Sequence, residues 1–225
     1  MQKVPVNPFK NRVLTPLVYI VGALVTCYLT ANVMAVKLIQ IFGITLFDAG
    51  TIIFPITYML GDVLTEVWGY KISRKVIWLT FGCMVFFTLF VWIAVLLPYP
   101  PETQATAEAY RTVFNFVPRI TVASLLAFLC GQLINAYAMI KIKLKTHGRR
   151  LWVRTIGSSI FGYIVDTTIF VLVAFAGTVP IQDLCSMIGI QIIVKLLIEA
   201  IGATPMAYML IARLKKESLK SLIKK

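Results

Sequence analysis

The stretch VIWLTFGCMVFFTLFVWIAVLL, Val76 to Leu97, runs for 22 residues without a charged side chain. At 1.5 Å per residue a helix of that length reaches about 33 Å, the thickness of a bilayer's hydrocarbon core. An all-round apolar helix needs lipid or a large protein interior on every side. Working outward from it, five more windows have comparable length: Thr15–Val36, Thr51–Tyr70, Val117–Ile140, Thr155–Gly177 and Leu184–Ala212. The expected fold class is all-α, a polytopic membrane bundle of six transmembrane helices.

Composition agrees. The 225 residues are 59% hydrophobic and only 14% charged, against about 45–50% apolar and about 25% charged for a soluble domain. Too little polar surface exists to cover a water-facing particle of this size. The formal net charge of +13 also invites a nucleic-acid reading. The basic residues, however, lie between the apolar windows and form no face interleaved with stacking aromatics, so no nucleic-acid partner is expected.

Eighteen of the 22 basic residues fall in alternate connections: before the first window, between the second and third, between the fourth and fifth, and after the sixth. The positive-inside rule then places both termini in the cytoplasm. Residues 1–14 read as a cytoplasmic N-terminus and 213–225 as a basic tail, within one transmembrane domain over 1–225. The tail, with Leu214, Leu219, Leu222 and Ile223 among its lysines, suits either a helix on the membrane surface or a solvated extension. The basic N-terminus resembles a signal peptide, but the uncharged Val13–Val36 run is long enough for an uncleaved span. Cys27, Cys83, Cys130 and Cys185 form no CxxC pair and His147 is the single histidine, so the cysteines read as spectator thiols and no metal site or cofactor is expected.

Function is read from the ionisable residues inside the windows. Asp62 and Glu66 lie in the second, Asp166 in the fifth, Lys195 and Glu199 in the sixth. Each costs at least about 2.5–3.5 kcal/mol to insert. Such groups face a cavity or a partner, so they are candidate substrate-binding residues; an ion-pair network holding the bundle is the structural alternative. Asp62 and Glu66 share a helix face, as do Lys195 and Glu199. Carboxylates accept paired N–H donors of a flat heterocycle, while Asn32, Gln132 and Asn135 can read its acceptors. Small residues at helix-packing spacing, Ala31 and Ala35, Ser158 and Gly162, and Ala123, Ala127 and Gly131, allow close backbone approach. Asn32 precedes Asp62 by 30 residues and Asn135 precedes Asp166 by 31. That echo suits two inverted three-helix halves around a midplane site, and chance explains it equally well.

At these residues the chain resembles the queuosine-precursor transporter family, also called the vitamin uptake transporter family. The resemblance lies in Phe54–Lys75 (FPITYMLGDVLTEVWGYKISRK), Arg119–Gln132 (RITVASLLAFLCGQ), Gly157–Phe175 (GSSIFGYIVDTTIFVLVAF) and Val194–Tyr208 (VKLLIEAIGATPMAY). It implies a six-helix inner-membrane protein importing a 7-deazaguanine: the cyano base preQ0, the aminomethyl base preQ1, or queuine. Carried over position by position, Asp62, Arg119, Ser124, Gln132, Asp166 and Lys195 match the family pattern. Glu66 and Glu199 are positions where the family need not be acidic, and as extra acids they would favour the cationic aminomethyl base.

The expected partners are thus a nucleobase-like small molecule and the lipid bilayer, with a homo-oligomer left open. Rival readings are the substrate-binding subunit of an energy-coupling-factor importer, to which Ala31 and Ala35 on a first helix would also fit, an intramembrane aspartate protease, and a membrane scaffold. The chain has no GxxxxGK[ST] to hydrolyse ATP. Leu60-Gly61-Asp62 lacks the Gly-x-Gly-Asp of such proteases, and no GxSxG occurs, so no enzyme activity is expected.

Overall fold

A computed structural model describes residues 8–35, 37–41, 44–114, 118–147, 151–177 and 180–223; within them the side chains of 8–14, 38, 40–41, 44–48, 118–121, 175, 183 and 217–223 lie outside the description. The chain runs α1 (Pro8–Met34), β1 (Leu38–Ile41), β2 (Ile44–Asp48), a 3-10 turn (Ala49–Ile52), α2 (Phe54–Trp68), α3 (Tyr70–Leu96), a 3-10 turn (Pro101–Thr103), α4 (Gln104–Phe114), α5 (Pro118–Lys145), α6 (Leu151–Phe175), α7 (Ile181–Ile198), a π-helical turn (Glu199–Ala203) and α8 (Thr204–Ile223).

Five segments are long and apolar enough to cross a membrane: Thr15–Met34, Tyr70–Leu96, Val122–Lys145, Leu151–Ala174 and Leu184–Lys216. They match five of the six windows. Their large apolar side chains point outward, as at Phe86, Phe90 and Trp92 of α3, while Thr, Ser, Asn, Gln and charged side chains are buried. This polarity, apolar outside and polar within, is what lipid as solvent selects. The protein is a polytopic helical membrane bundle.

The remaining window, Thr51–Tyr70, takes a different form. Its helix, α2, has 15 residues and reaches about 22 Å, short of the hydrocarbon core. It touches α1, α3, α5, α6, α7 and α8, and Thr57 through Glu66 are all buried. A helix carrying Thr57, Asp62, Thr65 and Glu66 cannot face lipid without stranding those groups; wrapped by its neighbours, it becomes the hub of the bundle. It begins with Pro55 in the first helical turn, where the missing N–H costs nothing. It ends at Gly69, whose φ of +82° turns the chain directly into α3. Across that turn Thr65 Oγ1 bonds Ser73 Oγ at 2.9 Å.

Two elements fall in connections that sequence reading left as loops. The antiparallel hairpin β1–β2 pairs Leu38 with Asp48 and Ile41 with Ile44, and β2 and the following turn touch α7. Helix α4 lies in the connection between the third and fourth windows, with no buried residue. The tail from Arg213 to Ile223 continues α8. The four cysteines are free, Cys185 exposed and the others half-buried.

The small-residue stripes are packing surfaces. Ala123, Ala127, Gly131 and Asn135 of α5 are buried, and α5 meets α6 more extensively than any other pair of elements. A Cβ on Gly162 would sit 2.5 Å from Tyr58 Cε1 and 3.0 Å from Asn135 Cβ; one on Gly131 would sit 2.7 Å from both Asp166 Cβ and Tyr58 OH. Gly82 of α3 has nothing within 4 Å of an added Cβ. Gly162→Ala should therefore lower the thermal stability of the detergent-purified protein, by about 1–3 kcal/mol as for overpacked cores, whereas Gly82→Ala should leave it unchanged or raised.

Candidate functional site

Helix α6 organises the buried polar groups into three tiers. Arg154, Ser159 and Asp166 follow one another along it, separated by about 7 Å and about 10 Å of helix rise. Each tier neutralises its acid differently.

At Asp166 the acid has a cation. Lys195 Nζ lies 2.7 Å from Asp166 Oδ2 and donates also to Thr167 Oγ1 at 3.1 Å. The two are only 4% and 3% exposed. The ammonium stands over the Phe54 ring at 4.7 Å and the Tyr163 ring at 5.6 Å, so aromatic faces complete its shell. This pair borders a cavity walled by Tyr28, Phe54, Phe128 and Phe170 and edged by Asn32, Ser124 and Gln191, with about 30 Å³ of free volume. Ser124 Oγ donates to Asn32 Oδ1 at 3.1 Å. Tyr28 packs edge-on to Phe128, with ring centroids 4.3 Å apart, and its hydroxyl accepts from Gln132 Nε2 at 2.6 Å.

At Ser159 two acids meet. Asn135 Nδ2 donates to Asp62 Oδ1 at 2.9 Å, and Ser159 Oγ to Glu199 Oε1 at 2.6 Å. Asp62 and Glu199 interact electrostatically. Between this tier and the cavity stand two fully buried tyrosines, Tyr58 and Tyr163, with ring centroids 4.3 Å apart.

At Arg154 one acid faces three cations. Arg154 Nη2 lies 3.1 Å from Glu66 Oε1, Lys215 Nζ 2.7 Å from the same oxygen, and Lys143 Nζ 3.1 Å from Oε2. Glu66 thus ties α2 to α5, α6 and α8. Trp152 N donates to Tyr208 OH at 2.7 Å, a further tie between α6 and α8.

The ten residues singled out from sequence therefore separate. Asn32, Ser124, Asp166 and Lys195 border one cavity. Gln132 stands behind it, through Tyr28. Asp62, Asn135 and Glu199 occupy the middle tier, and Glu66 the basic one. Arg119 lies in the first turn of α5, and its side chain falls outside the described residues. Tyr28, Gln191 and the phenylalanine walls were not singled out. Gln191 precedes Lys195 by one helical turn, a same-face signal; the aromatics carry none, because lipid-facing aromatics are as common. Ala31 is buried and Ala35 borders the cavity, so this pair faces the bundle interior rather than a docking partner. Among the described residues no group of His, Cys, Asp and Glu is placed to hold a metal ion.

One wall of this cavity offers a carboxylate, an ammonium and amides between aromatic faces, a set that can hold a flat heterocycle edge and face at once. The family profile described as "Putative vitamin uptake transporter" matches residues 48–210, which include α2 and the acids of all three tiers but not Tyr28, Asn32 or Lys215. The chain belongs to that family. The "Probable queuosine precursor transporter" of Bacillus subtilis is 36% identical over 151 residues, 67% of this chain. The "Queuosine precursor transporter" of Escherichia coli is 28% identical over 127 residues, 56% of the chain, and so is the "Probable queuosine precursor transporter" of Haemophilus influenzae. The aligned stretches cover 65%, 54% and 51% of those relatives' own lengths. All three are named transporters and none an enzyme. No solved structure matches the chain.

Removing one member of a buried pair leaves the other uncompensated, at a cost of about 3–5 kcal/mol. Lys195→Met should accordingly lower stability by that order, and Asp166→Asn in the same chain should restore part of it; thermal unfolding of the two single variants and the double variant in one detergent measures the coupling.

Proposed function

We propose that this chain is a multi-pass carrier of the cell membrane that takes up a queuosine precursor, a 7-deazaguanine, and binds it between Asp166 and Lys195. The observation that carries this reading is the Asp166–Lys195 pair on the wall of an aromatic cavity, in a chain whose relatives are named for that cargo.

The chemistry is complementary. A deazaguanine presents neighbouring ring N–H and amino donors that a carboxylate accepts together, a carbonyl that an ammonium can reach, and a π face that Tyr28, Phe54, Phe128 or Phe170 can cover. Asn32 and Ser124 supply a further acceptor and donor. Without a guest, Asp166 and Lys195 satisfy each other. The free volume, about 30 Å³, is far below the roughly 300–1,000 Å³ of a small-molecule site, so binding a bicyclic base would part the pair and the walls. The guest's donors and carbonyl then replace the ion pair, which keeps the exchange from stranding two charges.

Direction follows from charge. Lys143, Arg154 and Lys215 gather at one end around Glu66, and the positive-inside rule assigns that end to the cytoplasm. Glu66 and its cations would tie the cytoplasmic ends of four helices. The cavity itself holds one acid and one base. The excess acids lie in other tiers, so they cannot select the cationic aminomethyl base by direct contact, and this reading replaces the preference drawn from their number.

The purified chain reconstituted in liposomes should take up radiolabelled 7-deazaguanine without ATP or a partner protein; a requirement for both would favour the energy-coupling-factor subunit instead. Asp166→Asn should reduce uptake by about tenfold or more, the loss of at least about 1.4 kcal/mol of binding, with the protein still monodisperse. The cyano and aminomethyl bases should compete for uptake with similar potency.

A further inference from the structure

We infer that Asp62 and Glu199 together hold one exchangeable proton, and that this middle tier, separate from the substrate cavity, couples transport to the proton gradient. The inference rests on the carrier reading above.

The tier differs from the other two in its charge balance. Asp166 is matched by Lys195, and Glu66 by Lys143, Arg154 and Lys215. Among the described residues no lysine or arginine pairs with Asp62 or Glu199. Both are nevertheless wholly buried, at 0% and 1% exposure. Asp62 keeps one oxygen, Oδ2, and Glu199 one, Oε2, without a hydrogen-bond partner. Asn135 Oδ1, on the amide that already holds Asp62, is likewise short of a partner, while the hydroxyl of Tyr163 faces Glu199. The buried carboxylate and amide oxygens are acceptors that need a donor. A proton on the pair supplies an O–H donor and removes one of two like charges, which cannot both persist in a low dielectric. The proton belongs to the pair rather than to either residue.

Among the described residues no cation contacts the pair. The titratable groups that act on the pair from packed elements are Tyr58 and Glu66 on α2 and Tyr163 on α6; Asp166 on α6 and Lys195 on α7 meet those tyrosines from the next tier. The lysine is engaged by Asp166, and the three cations of the next tier, Lys143, Arg154 and Lys215, are engaged by Glu66. The π-helical turn Glu199–Ala203 offers a means of exchange. Such a turn carries one residue more than the α-helix accommodates and marks functional positions. Lys195 and Glu199 flank its start on one helix. A guest that draws Lys195 from Asp166 therefore acts on the element that carries Glu199. Tyr163, between the lysine and the glutamate, touches both tiers.

In net uptake the proton enters and leaves with the substrate; in exchange of labelled for unlabelled substrate it need not leave. Liposomes holding the full chain and a trapped pH dye test this. For wild type, an inward proton gradient should accelerate labelled 7-deazaguanine uptake, and adding the base should acidify the lumen. Asp62→Asn and Glu199→Gln should lose both responses while substrate exchange continues. Variants that keep the gradient response, or a wild type driven by sodium instead of protons, overturn the inference and leave the carrier reading standing. No exchange by the wild type ends the carrier reading instead. In that event infrared titration of the detergent-purified protein still tests the shared proton. A protonated-carboxyl band should be present near neutral pH in wild type and missing from the Asp62→Asn/Glu199→Gln double variant; its absence from wild type, or its persistence in the double variant, overturns the inference.

Discussion

A carboxylate enclosed in a bilayer-spanning bundle must be neutralised, and the arrangement of this molecule follows from the ways it meets that demand. Glu66 is surrounded by cations from three other helices, and Asp166 is matched by one lysine. Asp62 and Glu199 have only neutral donors. Helix α2, too short to span and too polar to face lipid, exists at the centre because it carries two of these acids. The long helices form a sheath around it, and Gly131 and Gly162 let α5 and α6 close over Tyr58.

The three solutions differ in how readily they can change. A buried pair of one acid and one base is satisfied alone but can be replaced by a ligand with equivalent donors and acceptors. The proposed guest site, at the Asp166–Lys195 tier, rests on that difference. The Glu66 tier ties four helices at the basic end and must loosen if that end is to open. The tyrosine pair between them, Tyr58 against Tyr163, blocks passage from the cavity toward the acids. In the proposed carrier, alternating access would require both the cavity walls and the ties at the basic end to move.

Much of this could be read from residues alone. Long uncharged runs located the crossing helices, and the small-residue stripes marked packing faces without naming their partners, because both depend on properties of one segment. The buried acids were recognised by type and position. Their grouping was not, because it depends on the register between helices. Asp62 and Glu66 share a face, yet they belong to different tiers because Lys143, Arg154 and Lys215 reach only the second. Those three read as loop and tail charges; Arg154 is in fact 2% exposed. Gln132 and Asn135 read as ligand donors, but each bonds a neighbouring side chain. The hairpin Leu38–Asp48 and the turn at Gly69 were hidden for a further reason: apolar strand residues and a single glycine look the same within a loop and within a helix.

The central claim is that the Asp166–Lys195 contact is the lock that the cargo replaces. A cryo-electron microscopy structure of the reconstituted protein with a 7-deazaguanine bound tests it most directly. The account predicts the base among Asn32, Phe54 and Ser124, its donors on Asp166 and its carbonyl toward Lys195, with the 2.7 Å pair drawn apart. A base seated elsewhere in the bundle, with that pair intact, contradicts it.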